Sequence, residues 1–311
     1  MFYIKFLALC LLLSSHVFAQ ENKWWPSKWG AEDTLGSFNM LGPELTLKAT
    51  KLVKTGKTYR LGIETNNKTP AFGTRTFEVT ILQPNQYGGG SYGDNKFNYF
   101  DDYMAGWMGV GSQIDGLGHA GTDGIFYNGF KGKDFGKVDG LTSMGVEDYP
   151  PIVTRGVLID MAACMGHRIV PVTTVFNRQN IMDCEKQQGI SIERGDVVLL
   201  HSGWINMLET DPDTFGEIEP GIGSDGAKYL VEKEILAVGS DSWGLEIWPG
   251  EDPQIFDPVH QMLLNQNGIY ILENMDTREL AADKGYEFMF VLGPARISGA
   301  VQMIINPIAI R

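Results

Sequence analysis

Two short apolar runs with an amphipathic stretch between them constrain this chain more than any other feature. Gly156 to Met161 (Gly-Val-Leu-Ile-Asp-Met) and Asp196 to Leu200 (Asp-Val-Val-Leu-Leu) show no apolar/polar alternation, so each reads as a strand buried on both faces. Thr174 to Gln188 has helical amphipathic spacing, and the three together make a strand-helix-strand unit of an α/β sheet. Thr76 to Leu82 reads as another buried strand. Ser224 is expected to cap a helix through about Lys233, with Ile235 to Gly239 returning as a strand. Pro43 to Val53 places Leu45, Leu47, Ala49, Leu52 and Val53 at helical spacing and stops at Gly56. Asn85 to Asp94, with three consecutive glycines, is a loop, and no Gly-Lys-Ser/Thr follows that would make it a phosphate cradle. With 311 residues, 43% of them hydrophobic, the chain has enough apolar mass for a substantial core. The expectation is a single compact α/β domain over residues 20–311, with a mixed sheet inside and helices outside.

The N-terminus and the charge narrow the class. Lys5, the apolar run Phe6 to Leu13 and the triplet Val17-Phe18-Ala19 read as a secretory signal over residues 1–19. That run is too short to span a bilayer comfortably, and no later segment is apolar for long enough, so a secreted or periplasmic protein without membrane contact is expected. Loss of Lys5 moves the formal charge from -13 to -14, and so acidic a chain has no basic patch with which to neutralise nucleic-acid phosphates. Cys164 and Cys184 remain after cleavage, and a bridge and a pair of buried thiols are both compatible with the sequence. Asn67-Lys68-Thr69 is a glycosylation sequon in a eukaryotic host. Lys23 to Gly30, with three tryptophans, is too aromatic for a free tail and should pack on the body or on a neighbouring subunit.

The chemistry concentrates in Gly111 to Gly121. If Gln113 to Asp115 ends a strand, their side chains share one face, and Gly116 and Gly118 let the chain turn so that His119 approaches both oxygens. An amide, a carboxylate and an imidazole can form part of a shell for a divalent cation; the competing reading is a glycine-rich surface turn with a half-exposed histidine. A second stretch begins at Asp257-Pro258, a helix start with Asp257 as N-cap, which puts His260 near the helix N-terminus. The apolar run Ile269 to Leu272 then carries Glu273 at a strand end, where α/β proteins often bind ligands. Taken singly, a surface histidine and a solvated glutamate explain these two residues as well.

Together these residues resemble the cyclase family of metal-dependent hydrolases, which includes bacterial kynurenine formamidases and isatin hydrolases. The similarity runs from Trp29-Gly30 and Asn39-Met40-Leu41 through Arg155 to Asp160, Glu193 to Trp204, Pro220-Gly221-Ile222, Val238 to Asp241, and His260 with Glu273, to Asn306-Pro307-Ile308-Ala309. The family signature is His-x-Gly-Thr-His-x-Asp-x-Pro-x-His. Here Gly109 stands at the first histidine, Gln113 at the second and Leu117 at the proline, while Asp115 and His119 are kept. The resemblance implies a swivelling β/β/α fold, metal positions at Gln113, Asp115, His119, His260 and Glu273, and a catalytic role for His119, with Glu273 either a ligand or holder of the attacking water. Loss of the first histidine points to one oxygen-rich site, favouring Mn2+ over Zn2+. The implied reaction is hydrolysis of a small amide, N-formyl compound, cyclic imide or lactone. A cyclase or dehydratase, and a binding protein that has lost catalysis, are the alternatives. Trp107, Phe126, Tyr127, Trp243 and Trp248 would suit a flat substrate ring, or else belong to core or interface. A homodimer or homotetramer is implied, with the Trp-rich arm covering a neighbour's pocket or lying on its own subunit.

Overall fold

The computed structural model describes residues 23–83 and 90–311, so the signal segment and the first half of the glycine loop, residues 85–89, lie outside the described residues. Nine strands build one mixed sheet: β1 (Thr58–Arg60), β4 (Gln113–Asp115), β5 (Ile152–Asp160), β6 (Val197–His201), β7 (Ala237–Ser240), β8 (Tyr270–Glu273), β9 (Glu287–Leu292), β10 (Gln302–Ile304) and β11 (Ile308–Ile310). Two further strands, β2 (Phe77–Leu82) and β3 (Asp101–Gly106), pair only with each other. The spatial order is β1-β11-β9-β5-β6-β7-β8-β4-β10. From β5 to β8 the neighbours are parallel, and all other pairings are antiparallel. The parallel centre is what the unalternating runs demand. Val197, Val198, Leu199 and Leu200 are all fully buried, which for each such side chain stabilises the fold by roughly 1.5–3 kcal/mol.

Helices cover this sheet: α1 (Pro43–Thr50), α2 (Met161–Met165), α3 (Arg178–Gln188), α4 (Ser224–Glu232) and α5 (Pro258–His260), the last continuing as a π-helical turn over Gln261–Gln266. The helix expected from Thr174 starts only at Arg178. Val175 and Phe176 instead pair in parallel with Gly221 and Ile222, and Asn177 and Asn180 form a capping box. Ser224 is not the cap of α4: Gly223 holds that position, and the Ser224 N–H donates to the Glu251 carboxylate at 2.8 Å. The Trp-rich arm lies on its own chain, where Asn128 accepts from the Ser27 N–H and its amide donates to the carbonyls of Gly30, Ala31 and Asp33.

The β2–β3 hairpin corrects one expectation. Apart from buried Phe77, Thr76 to Leu82 does not join the core; Val79 and Ile81 are exposed, because β-branched content favours a pleated backbone without saying whether anything covers it.

Cys164 and Cys184 form a disulfide, with Cα atoms 5.6 Å apart, joining α2 to α3. By loop-closure entropy, a bridge across 20 residues contributes about 3 kcal/mol. Cys164→Ser is therefore expected to lower the unfolding free energy by about that amount in urea titrations.

The ends of β6 and β7 have a structural task. Asp241 accepts from the Ser202 and Gly203 N–H groups (both 2.8 Å) and the Ser202 hydroxyl (2.6 Å), and lies 3.1 Å from His201 Nδ1. Burial pulls the His201 imidazole down, but Asp241 more than offsets this and holds it above its usual value. A raised histidine adds stability that is fully present below the unfolded-state value near 6.5 and fades as pH rises through the folded one. His201→Gln should lack that component, so the gap in melting temperature between wild type and variant should shrink as pH rises from 6 to 9.

Candidate metal centre

The edge of the sheet puts the expected residues together through strand register. Gln113 pairs with Glu273 across β4 and β8, and Asp115 lies two residues further along the same face. On the other side of β4, Gln302 of β10 is opposite Asp115, and its amide donates to Asp115 Oδ1 at 2.6 Å. The Gln113 amide donates to Glu273 Oε2. His119 follows after a turn closed by its N–H on the Gly116 carbonyl. The glycines there answer to space, not to backbone dihedrals: neither Gly116 nor Gly118 has a positive φ. A Cβ at Gly116 would stand 2.1 Å from the Tyr149 hydroxyl, and one at Gly118 2.6 Å from Leu141 Cδ1.

His260 arrives from α5. Asp257 does occupy the N-cap position, but its left-handed backbone (φ 45°) leaves its side chain without a capping bond. Glu246 caps in its place, accepting from the Val259 and His260 N–H groups at 3.2 and 3.0 Å, and the same carboxylate meets His260 Nδ1 at 2.6 Å. With Nδ1–H committed to Glu246, Nε2 faces Glu273 Oε1 at 3.3 Å and Asp115 Oδ2 at 3.7 Å. His119 Nε2 approaches the same Asp115 oxygen at 3.8 Å, on the more open side.

This arrangement suits a cation. One ligand atom from each of Asp115, His260 and Glu273 lies within 4.8 Å of the others, and all three residues are buried. Asp115 Oδ2 and Gln113 Oε1 are buried without a hydrogen-bond partner among the described residues, an arrangement that is costly unless something positive completes it. Burial pushes the Asp115 carboxyl up, but the His119 and His260 rings and the Gln302 amide hold it below the usual carboxylate range. Burial and the Asp115 charge together push Glu273 up to about 7. Burial pulls His260 down, yet Asp115, Glu246 and Glu273 leave it well above its usual value. The groups that favour a proton on His260 would equally favour a metal ion beside it. His119 differs: burial outweighs Asp115 and lowers it, which keeps the ring neutral near pH 7.

The centre opens into a cavity of about 330 Å³. Its walls include Trp243, Trp248, Phe72 and Phe256. Trp107, Phe126 and Tyr127, for which the sequence left a ring-binding and a core or interface role open, are not part of them. Trp107 is exposed, Phe126 packs edge-on against Phe135, and Tyr127 is a buried residue whose hydroxyl donates to Asp33.

The family model named Cyclase matches residues 15–247. The chain belongs to the Cyclase family. A crystal structure of a novel cyclase is similar over 91% of this chain and 98% of that one, at 28% identity and a TM-score of 0.82. Isatin hydrolase A from Ralstonia solanacearum shares the fold at 17% identity and a TM-score of 0.60, covering 82% of this chain and 92% of its own. A predicted metal-dependent hydrolase from Bacillus stearothermophilus does so at 17% identity and 0.54, covering 82% and 98%. No curated protein matches the chain.

Within this cyclase-family site, sequence reading missed Glu246, Gln302, Glu219 and Arg75. Glu246 sits in Gly244-Leu245-Glu246-Ile247-Trp248, whose pattern carries no signal beyond a short apolar run. Buried Glu219 accepts from the Trp243 and Gly244 N–H groups at 2.7 and 2.9 Å and so fixes one cavity wall. Because Glu246 holds His260 Nδ1 and so turns Nε2 toward Asp115 and Glu273, Glu246→Ala is expected to weaken metal retention by roughly 10–100-fold. Competition with a chelator of known affinity would measure it.

Proposed function

We propose that this chain is a metal-dependent hydrolase that opens a C–N bond, or a lactone C–O bond, in a small amide, N-formyl compound or cyclic imide. The observation that carries this reading is the convergence of Asp115, His260 and Glu273 beneath a neutral His119, with an unpaired buried carboxylate oxygen at the centre. Asp115, His260 and Glu273 would hold the ion, joined by the Gln113 amide oxygen if its side chain turns. This oxygen-rich set favours Mn2+, with Zn2+ the alternative. When bound, such a cation polarises a carbonyl and lowers the pKa of water from 15.7 toward about 7. His119, neutral and at the open side, accepts a proton from the attacking water and returns it to the departing nitrogen or oxygen. Trp243, Trp248, Phe72 and Phe256 hold a flat ring and exclude water around it. Glu219 keeps the Trp243 wall in place.

A signal-directed route to the periplasm or cell exterior belongs to the same reading, and the Cys164–Cys184 bridge supports it, since disulfides persist outside the cytosol. Assembly as a homodimer or homotetramer is also proposed, supported by the uncovered apolar side chains of the β2–β3 hairpin. The decisive experiment is a panel of aromatic amides, N-formyl compounds, imides and lactones incubated with the purified chain and added Mn2+ or Zn2+, followed by mass spectrometry. Products heavier than substrate by one water, formed only with metal, are expected. Loss of one water would show a cyclodehydratase, and a chain that takes up no metal would show a binding protein.

A further inference from the structure

The position of the signature's first histidine is not simply vacated in this chain. A Cβ built on Gly109 would stand 2.8 Å from Arg75 Nη1 and 3.0 Å from both amide atoms of Gln302, so a histidine there would have to displace both side chains. A guanidinium and an amide occupy that side of the site. Arg75 Nη1 makes a 3.3 Å bond to the Gly109 carbonyl, and its guanidinium lies 5.8 Å from the Phe72 ring centre. No carboxylate among the described residues pairs with it. Among the described residues that line the cavity it is the one arginine or lysine, and its charge acts on both His119 and Glu273.

A guanidinium stays charged at any working pH and presents a planar fork matched to a carboxylate. Asp115 and Glu273 together balance one divalent ion, and the other carboxylates that line the cavity, Glu219, Glu246 and Asp257, make no ion pair with Arg75, whose guanidinium is left without an anionic partner near Phe72, Trp243, Trp248 and Phe256. A half-buried cation without an anionic partner is better solvated by an anion that enters with the ligand than by the cavity itself. Phe72, beside the guanidinium, and Trp243, stacked on Phe72 with ring centres 5.6 Å apart, give that anion a flat apolar neighbour.

Building on the hydrolytic reading, we propose that Arg75 is the specificity-determining residue of this site. Where the signature has its first histidine, this chain has an anion anchor, and its substrates are flat-ring carbonyl compounds that carry a carboxylate. Calorimetric titration of the metal-loaded full chain with benzoate and with benzamide tests this without requiring turnover. Benzoate should bind wild type at least tenfold more tightly than benzamide. Arg75→Met should abolish that preference at unchanged metal content. Arg75→Lys, which keeps the charge and loses the fork, should weaken benzoate while leaving benzamide unaffected. A benzoate preference that survives in both variants would assign the anion to the metal and overturn the proposal, as would equal binding of the two probes by wild type. Failure of every amide, imide and lactone to turn over would sink the hydrolytic reading but not alter this comparison.

Discussion

Asp115→Asn is expected to reduce turnover on the order of 10³-fold or more while leaving the chain folded. Among the described residues Asp115 is the carboxylate within 4 Å of both the His119 and the His260 ring, and its Oδ2 is a buried acceptor without a hydrogen-bond partner. An asparagine keeps the shape and the contact with Gln302 in one amide orientation, but removes the charge that fixes the cation. Several kcal/mol of charge stabilisation go with it, and each 1.36 kcal/mol is a factor of ten in rate. The stability effect separates this explanation from a folding defect. Without metal, the His119 and His260 rings and the Gln302 amide favour the ionised Asp115 carboxylate, so the variant should melt somewhat below the wild-type temperature while still unfolding cooperatively. With metal in excess, wild type should gain stability by mass action and the variant should not. Thermal melts of both proteins, with and without Mn2+, would show this. A variant that gains as much as wild type on metal addition would remove Asp115 from the site.

His119→Ala should cost roughly 10²–10⁴-fold in kcat, the range for a lost general acid/base. The predicted signature is a kinetic loss without a binding loss. His119 sits 3.8 Å from Asp115 on the open side and is not one of the three buried groups that converge, so metal content after dialysis should match wild type. Among the described residues its ring also makes no side-chain hydrogen bond that holds the fold, and melting should change little. A variant that retains full kcat would take His119 out of the mechanism. One that loses both metal and activity would make it a ligand instead.

Much of the candidate site was legible in the sequence because an amide, a carboxylate and an imidazole are rarely placed so close together without reason. Gln113, Asp115 and His119 lie within seven residues, and the two-residue spacing of the first two fixes their common face on any strand. His260 and Glu273 were legible through the helix start at Asp257-Pro258 and the apolar run that follows. Glu246, Gln302 and Arg75 were not. Each comes from a different segment, and each matters only through a distance: 2.6 Å to His260, 2.6 Å to Asp115, and 3.3 Å to the Gly109 carbonyl. The Asp257 cap failed for a related reason. A cap is chosen by whichever carboxylate reaches the helix amides first, and Glu246 reaches them from outside the local sequence.

What the sequence by itself determined is the parallel centre of the sheet and the inventory of donors, because burial of unalternating apolar runs and the chemistry of individual side chains are local properties. Tertiary structure alone decided which strand lies beside which. By pairing Gln113 with Glu273 and Gln302 with Asp115 across β4, it turned a scattered set of polar residues into one buried, electron-rich centre. It also filled the place of the absent histidine with Arg75. The physical reason is that register and close packing are set by the whole core at once, whereas a residue's neighbours along the chain fix only the face from which it acts.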